Sequence, residues 1–362
     1  MSKFNFDIES QTITIDGKVY GKDNFHTLHS EDEKLNSFYS GIISFLKSWW
    51  DDIDTTIVHT SGSTGKPKTM LVAKRAMMAS AENTLSFLNL KKGDNALLCM
   101  PVEYIAGKMM IVRALVGGIN LICRKPSGEP LKDLNEKLDF AAMIPLQIFN
   151  SLNDEHQKVT LMNIREVIIG GGAIDANIED ILSSFNNNIW STYGMTETLS
   201  HIAMRKISGY DRTEWYSTLN NIKVSLTSEN TLVIDAPQIC KEQLITNDIA
   251  QINESGEFKI IGRRDNIINS GGIKIQIEEV ENRLKESINT PFMITSKKDN
   301  KFGEIIVILV QGKDTEMEIE EICKVDLPQY WRPKEIVFVD SLPMTGNGKP
   351  DRAKAKIIAN SN

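Results

Sequence analysis

The run His59-Thr60-Ser61-Gly62-Ser63-Thr64-Gly65-Lys66-Pro67-Lys68 concentrates small, hydroxylated and cationic side chains. Gly62 and Gly65 let the backbone turn tightly and present bare N–H groups. Thr60, Ser61, Ser63 and Thr64 add hydroxyls, and Lys66 and Lys68 add positive charge. Such a set holds phosphate oxygens. It is not a Walker loop, which needs four residues between its first glycine and the Gly-Lys pair; two residues separate Gly62 from Gly65. A flexible surface turn is the plainer reading. The density of phosphate-binding groups between two candidate strands, residues 55–58 and 69–72, argues against it.

Three further stretches carry chemistry-bearing types. Ser191-Thr192-Tyr193-Gly194-Met195-Thr196-Glu197 places an aromatic, a hydroxyl and a carboxylate around one glycine. Gly262-Arg263-Arg264-Asp265, with Gly271-Gly272 behind it, is polar and glycine-rich. Leu342-Pro343-Met344-Thr345-Gly346-Asn347-Gly348-Lys349 ends on a lysine flanked by glycines. Taken alone, Tyr193 reads as a core aromatic, Arg264 as a solvated charge and Lys349 as an exposed turn lysine.

The elements that must position these groups alternate. Apolar periodicity predicts helices at 31–50, 74–90, 106–116, 131–138 and 175–185, with a further short helix before residue 167. Continuous apolar runs predict strands at 96–100, 119–123, 140–144, 167–169 and 188–192. Buried strands alternating with helices imply an α/β fold on a largely parallel sheet. Ligands bind beyond the carboxyl ends of such strands. The phosphate loop, the Gly170-Gly171-Gly172 turn and a Tyr193-Gly194 turn are expected there. Residues 12–17 read as a hairpin, and residues 222–261 as a small β-rich subdomain. Beyond them an α+β unit of about a hundred residues is large enough to be a domain. The boundary falls at residues 263–266, giving a large domain over 1–264 and a small one over 265–362.

Composition excludes several classes. The formal charge is −7 and no long basic run occurs, so nucleic acid is not an expected partner. No apolar stretch is long enough for a membrane span. The N-terminus lacks a signal-peptide pattern, and the four scattered cysteines form no CxxC pair, as expected of a cytosolic protein.

Together the four motifs resemble one family, the acyl-adenylate-forming enzymes: acyl-CoA synthetases, luciferase-like proteins and peptide-synthetase adenylation domains. Their order and spacing over roughly residues 55–350 match that family. The resemblance implies a two-step reaction using ATP, Mg²⁺ and coenzyme A. A small carboxylic acid attacks the α-phosphate, pyrophosphate leaves, and a thiol then takes the acyl group. It further implies that residues 60–66 and Lys68 hold the departing phosphates. Tyr193 would stack on adenine, with Gly170, Gly171, Gly172 and Gly194 giving close backbone access. Thr196 would meet the α-phosphate and Glu197 would ligate Mg²⁺. Asp248, in Ile245-Thr246-Asn247-Asp248, would take the ribose hydroxyls and Arg263 the ribose or phosphate; outside the family pattern Asp248 is a turn acid. Lys349 would bridge the acid and the α-phosphate. Asp265 would be the hinge about which the small domain swings, presenting Lys349 for adenylation and Gly271-Gly272 for the thiol step.

The segment Thr198-Leu199-Ser200-His201 most resembles the o-succinylbenzoate–CoA ligases of menaquinone biosynthesis. Their substrate has a second carboxylate, for which Ser200, His201, Lys108 and Arg205 are candidate anchors. Lys108 and Arg205 equally read as solvent-facing charges. Tyr104 stands where relatives place an aromatic or histidine gate. Relatives also carry a longer segment before the phosphate loop, so an N-terminally shortened form is expected, with altered pocket closure or homodimer contacts. Other readings stay open: another aryl- or acyl-CoA ligase, a carrier-protein-loading enzyme, or a non-catalytic adenylate binder.

Overall fold

The computed structural model describes residues 4–30, 32–59, 69–312, 316–344 and 350–361. Compactness divides them into two units. One comprises Met1–Val224, Ile234–Leu244 and Glu254–Glu257; the other comprises Ser225–Val233, Ile245–Asn253 and Phe258–Asn362. Most of the small β-rich subdomain thus groups with the C-terminal segment. A cut after Arg264 concerns where the chain would hinge, which compactness does not address.

The first unit is built on a nine-stranded sheet. Its order is Ser217–Thr218, His201–Lys206, Asn188–Gly194, Glu166–Ile169, Phe140–Met143, Asn95–Leu98, Asn120–Cys123, Ile13–Ile15 and Lys18–Tyr20. The six strands from Asn188–Gly194 to Ile13–Ile15 run parallel, as their apolar runs predict. Ala96, Leu97, Leu98, Phe140, Ala141, Val167 and Ile169 are fully buried in them. Antiparallel strands close both edges. Helices Glu33–Trp49, Lys74–Phe87 and Ile105–Gly117 form where periodicity places them, burying Ile42, Leu46, Met77, Leu85 and Ile111.

Three expectations fail locally. Residues 131–138 form turns rather than a helix. Leu131, Leu134 and Leu138 are buried at helical spacing, but Asp133 sits at φ +53, which a right-handed helix cannot contain. Two short helices rather than one, Pro145–Leu152 and Glu155–Met162, precede residue 167. Strand Asn188–Gly194 continues through Tyr193 and Gly194, so these residues end a strand instead of forming a turn.

The phosphate loop is also placed differently. Strands Thr55–His59 and Thr69–Ala73 pair antiparallel as a separate two-stranded sheet. The loop therefore joins the arms of a hairpin and does not follow a strand of the parallel sheet. Thr60, Ser61, Gly62, Ser63, Thr64, Gly65, Lys66 and Lys68 lie outside the described residues, as does Lys349.

The second unit contains a five-stranded sheet. Strands Ile267–Ser270, Ile273–Gln276, Phe292–Asp299 and Gly303–Gln311 pair antiparallel, and Glu335–Val339 joins the last in parallel. Helices Ile277–Leu284 and Glu316–Asp326 cover it with Val280, Leu284, Ile319 and Cys323. Helix Arg352–Ser361, which no periodicity argument anticipated, packs Ala355 and Ala359 against the other face. Among the described residues, no helix is long and apolar enough to cross a membrane.

Candidate active site

Two glycine-bearing segments follow neighbouring parallel strands in the first unit. Gly170 to Gly172 follow Glu166–Ile169, and Tyr193-Gly194 end Asn188–Gly194, the strand beside it. The Tyr193 ring lies 6.0 Å from that of Tyr216, tilted by 59°. Tyr216 is itself fixed: its hydroxyl is 2.9 Å from Ser191 Oγ, and the Arg205 guanidinium sits 5.5 Å over its ring. Arg205 forks onto Glu179 at 2.6 and 2.7 Å. It therefore braces the aromatic pair, and its charge is spent on Glu179 rather than held for a substrate.

After Tyr193 the chain reverses tightly. Thr196–Thr198 form one 3₁₀ turn. Leu199 then takes φ 62 and ψ −37, and Ser200 N donates to Thr198 O at 2.7 Å. This is a γ-turn of the rare, strained hand. Thr198, fully buried, staples it: its Oγ1 accepts from Met195 N at 2.9 Å and donates to Ser200 O at 2.7 Å. The returning strand brings Ser200 O within 2.3 Å of where a Cβ on Gly194 would stand. The glycine of the motif is thus demanded by the reversal that presents Glu197.

Glu197 is exposed and Thr196 half-buried; the Cys240 thiol donates to Glu197 O at 3.0 Å. Among the described residues, no three His, Cys, Asp or Glu side chains gather as a metal cage. Mg²⁺ does not need one, since it binds through one or two carboxylates plus substrate phosphates and waters. A single exposed Glu197 fits that donor set.

Behind the turn lies a group that motif reading missed. Arg113, on helix Ile105–Gly117, is 2% exposed. Its Nη2 donates to Ser200 Oγ at 2.8 Å and its Nη1 faces Met110 Sδ at 3.5 Å. Its Nε has no partner among the described residues. Among the described residues no carboxylate pairs with it, and burial pushes the guanidinium down to about 9. Ser200 Oγ also lies 3.2 Å from His201 Nδ1, and His201 Nε2 lies 3.0 Å from Thr84 Oγ1. The sequence signal was available: one arginine inside the otherwise apolar run Met109-Met110-Ile111-Val112-Arg113-Ala114-Leu115-Val116.

His201 is buried, and desolvation, with Arg113 beside it, holds its imidazole well below the ordinary value of 6.5. Below about pH 6.5 the unfolded chain binds a proton there that the folded chain refuses. Stability therefore falls as pH falls, by about 1.4 kcal/mol per pH unit from this group. His201→Phe is expected to remove that part of the slope between pH 6.5 and 5 in denaturant unfolding. An unchanged slope would show that the folded imidazole takes the proton freely.

The other expected anchors separate. Lys108 is buried, and its Nζ donates to Ile57 O at 2.5 Å. It tethers the hairpin that carries the phosphate loop, and its ammonium is committed there. Tyr104 caps the Arg113 helix and is 45% exposed.

In the second unit, Asp248 and Arg263 face each other across adjacent strands. Arg263 Nη1 lies 3.3 Å from Asp248 Oδ1, and its Nη2 lies 3.4 Å from Asp265 Oδ2. Asp248 is buried while Arg263 and Asp265 are exposed, so a buried carboxylate is presented beside a reachable guanidinium. Asn247 also holds Asp265, at 3.1 Å. Arg264 pairs with Glu229 at 2.5 Å, an exposed surface contact. Gly271 and Gly272, at φ +59 and +82, form the two-residue connection between strands Ile267–Ser270 and Ile273–Gln276. A tight hairpin of the primed type needs positive φ at both positions.

Residues 19–238 match the AMP-binding enzyme family, and residues 293–349 match the AMP-binding enzyme C-terminal domain. A curated relative, the 2-succinylbenzoate–CoA ligase of Listeria monocytogenes, is 25% identical over 340 residues, covering 86% of this chain and 71% of its own. Bacitracin synthase 3 of Bacillus licheniformis is 24% identical, covering 82% of this chain but 5% of its own. Among solved structures, an acyl-CoA synthetase (AMP-forming)/AMP-acid ligase II-like protein from Dyadobacter fermentans is 29% identical. It superposes with a TM-score of 0.64 over 94% of this chain and 98% of that one. The o-succinylbenzoate–CoA synthetase of Bacillus subtilis, in complex with its acyl-adenylate intermediate, shares the fold. Its identity is 20% and its TM-score 0.70, over 83% of this chain and 68% of that one.

Proposed function

The chain belongs to the AMP-binding enzyme family, and from that premise we propose that it is an AMP-forming acid–CoA ligase acting on 2-succinylbenzoate. The carrying observation is Arg113: a buried guanidinium with no carboxylate partner among the described residues, set against Ser200 just beyond Glu197. A lone buried charge is costly unless an anion reaches it. An acid with a second carboxylate supplies that anion, and 2-succinylbenzoate–CoA ligases recur among the curated relatives.

The reaction concentrates negative charge on phosphate, so the site needs positioned donors and cations more than a strong base. The substrate carboxylate attacks the α-phosphorus and the bond to the β-phosphate oxygen breaks. Residues 60–66 and Lys68 receive the leaving pyrophosphate. Thr196 donates to the α-phosphate, and Lys349 bridges it to the attacking carboxylate. Glu197 would hold Mg²⁺, which supplies charge neutralisation on the phosphates. Tyr193, braced by Tyr216, stacks on adenine beside Gly170, Gly171 and Gly172. Asp248 takes the ribose hydroxyls and Arg263 the ribose or phosphate. In the second step the coenzyme A thiol attacks the acyl carbon and AMP leaves, with Gly271-Gly272 lining that approach after rotation about Asp265. The unpaired thiols of Cys99, Cys123, Cys240 and Cys323 fit a cytosolic site of action.

Thioester formation with coenzyme A, measured across a panel of acids, tests the reading. The expected order places 2-succinylbenzoate well above benzoate and above an unsubstituted fatty acid. A clear preference for the fatty acid overturns the diacid assignment. Transfer to a carrier protein but not to coenzyme A overturns the ligase class.

A further inference from the structure

Four buried or half-buried polar groups link helix Lys74–Phe87 to Arg113 through the returning strand. Thr84, His201 and Arg113 are buried, and Ser200 is half-buried. None of them meets a carboxylate among the described residues. The separations are 3.3 Å from Thr84 Oγ1 to Ser80 O and 3.0 Å from Thr84 Oγ1 to His201 Nε2. They continue at 3.2 Å from His201 Nδ1 to Ser200 Oγ and 2.8 Å from Ser200 Oγ to Arg113 Nη2.

Proton counting gives this chain a direction. Thr84 donates its hydroxyl proton to Ser80 O, the carbonyl one helical turn back. Its oxygen is then an acceptor, which assigns the His201 proton to Nε2; the opposite tautomer would need Thr84 to give up its bond to Ser80 O. That leaves Nδ1 bare. Ser200 can give its proton only there, and its oxygen then faces Arg113 as an acceptor. A neutral ring is required throughout, consistent with a buried imidazole beside a guanidinium. At the far end, among the described residues, Arg113 is held by Nη2 alone, while Nε has no partner and Nη1 meets only a thioether.

We propose that Thr84 and His201 are positioning residues for acid selection: their relay locks Ser200 as an acceptor, so that Arg113 is held by one corner and its remaining donors are kept for the second carboxylate of the acid. This rests on the diacid reading above. It assigns a role to two buried side chains, Thr84 and His201. Without the relay the Ser200 hydroxyl can turn, its proton is free to bond the acid or a water, and the guanidinium loses its fixed post. The γ-turn at Leu199 serves the same end, since it sets the Ser200 backbone before the hydroxyl direction is chosen.

The test uses the full chain and two acids, 2-succinylbenzoate and benzoate, with the ratio of their kcat/KM values as the readout. Thr84→Val removes the relay's acceptor while keeping the volume, and is expected to lower that ratio by about five- to twentyfold, the scale of one or two hydrogen bonds. The change should lie mainly in KM for the diacid, with KM for ATP unmoved. Thr84→Ser should restore the ratio. If Thr84→Val does not fold, His201→Phe against His201→Asn gives the same comparison, because asparagine can still accept from Ser200. A second readout needs no turnover: nitrogen NMR of the imidazoles, with His201 identified by its loss in His201→Phe, should show the Nε2–H tautomer.

Outcomes separate the two ideas. If the wild-type enzyme does not favour the diacid, the functional reading fails first. If it does, and Thr84→Val and His201→Phe keep the full preference, the relay is structural only. An Nδ1–H tautomer also overturns the proposal, because Ser200 would then be a donor free to meet the acid itself.

Discussion

Arg113→Met is expected to make the unliganded protein more stable and the enzyme far worse with its diacid. The two effects come from one cause. The guanidinium is almost fully buried, has an orphaned Nε and pairs with no carboxylate among the described residues. Methionine fills a similar volume without the desolvation cost, so unfolding free energy should rise by about 1–3 kcal/mol. For a unit of this size that is a shift of several degrees in Tm. Against this, a charge-assisted contact to a substrate carboxylate contributes about 2–3 kcal/mol, so kcat/KM for 2-succinylbenzoate should fall by about 30- to 150-fold. Benzoate, which has no second carboxylate, should lose little. Arg113→Lys keeps the charge but not the fork, and should fall between. Equal losses for both acids, or a less stable variant, would mean that Arg113 supports the fold and does not select the substrate.

That trade of stability against selectivity shows why some of the site was legible and some was not. Tyr193 to Glu197 could be read because the motif is local: the glycine, hydroxyl and carboxylate are contiguous, and the strand before them is plainly apolar. Asp248 opposite Arg263 needed the register of two neighbouring strands, and only the family pattern pointed there. Arg113 is 87 positions from Ser200, and no local pattern joins them. Lys108, on the same helix, was a candidate anchor by its charge, yet its ammonium reaches Ile57 O. A charged residue on an apolar helix signals something buried, but sequence does not say which carbonyl or ligand receives it. The parallel sheet followed from continuous apolar strands. The antiparallel direction of its edge strand His201–Lys206 did not, because an apolar run carries no sign of which way it pairs. The false helix at 131–138 is the converse: three buried leucines kept helical spacing while the backbone at Asp133 left the helical region.

The largest effect is expected at Lys349, and it should divide the reaction in two. Lys349→Ala should reduce adenylation by about 10²–10³-fold, the scale of one positioned charge acting only in the transition state. The loss should appear in kcat with little change in KM for ATP, because the contact forms as charge develops on the α-phosphate. Thioester formation from supplied acyl-adenylate should be largely spared, because in the proposed cycle the lysine has no part in thiol attack. The flanking residues suit such a role. Met344 bridges Pro350, Asp351 N donates to Pro343 O at 2.9 Å, and Arg352 forks onto Glu281 at 2.6 and 2.7 Å. The segment bearing Lys349 is therefore tied through Arg352 to helix Ile277–Leu284, which lies beyond Asp265, so that rotation about Asp265 would carry the lysine together with that helix. Pyrophosphate exchange measures the first half-reaction, and release of AMP from preformed acyl-adenylate in the presence of coenzyme A measures the second. Should both fall by the same factor, Lys349 would be serving the two steps alike, and a cycle in which one unit presents different faces to the nucleotide would be wrong for this enzyme.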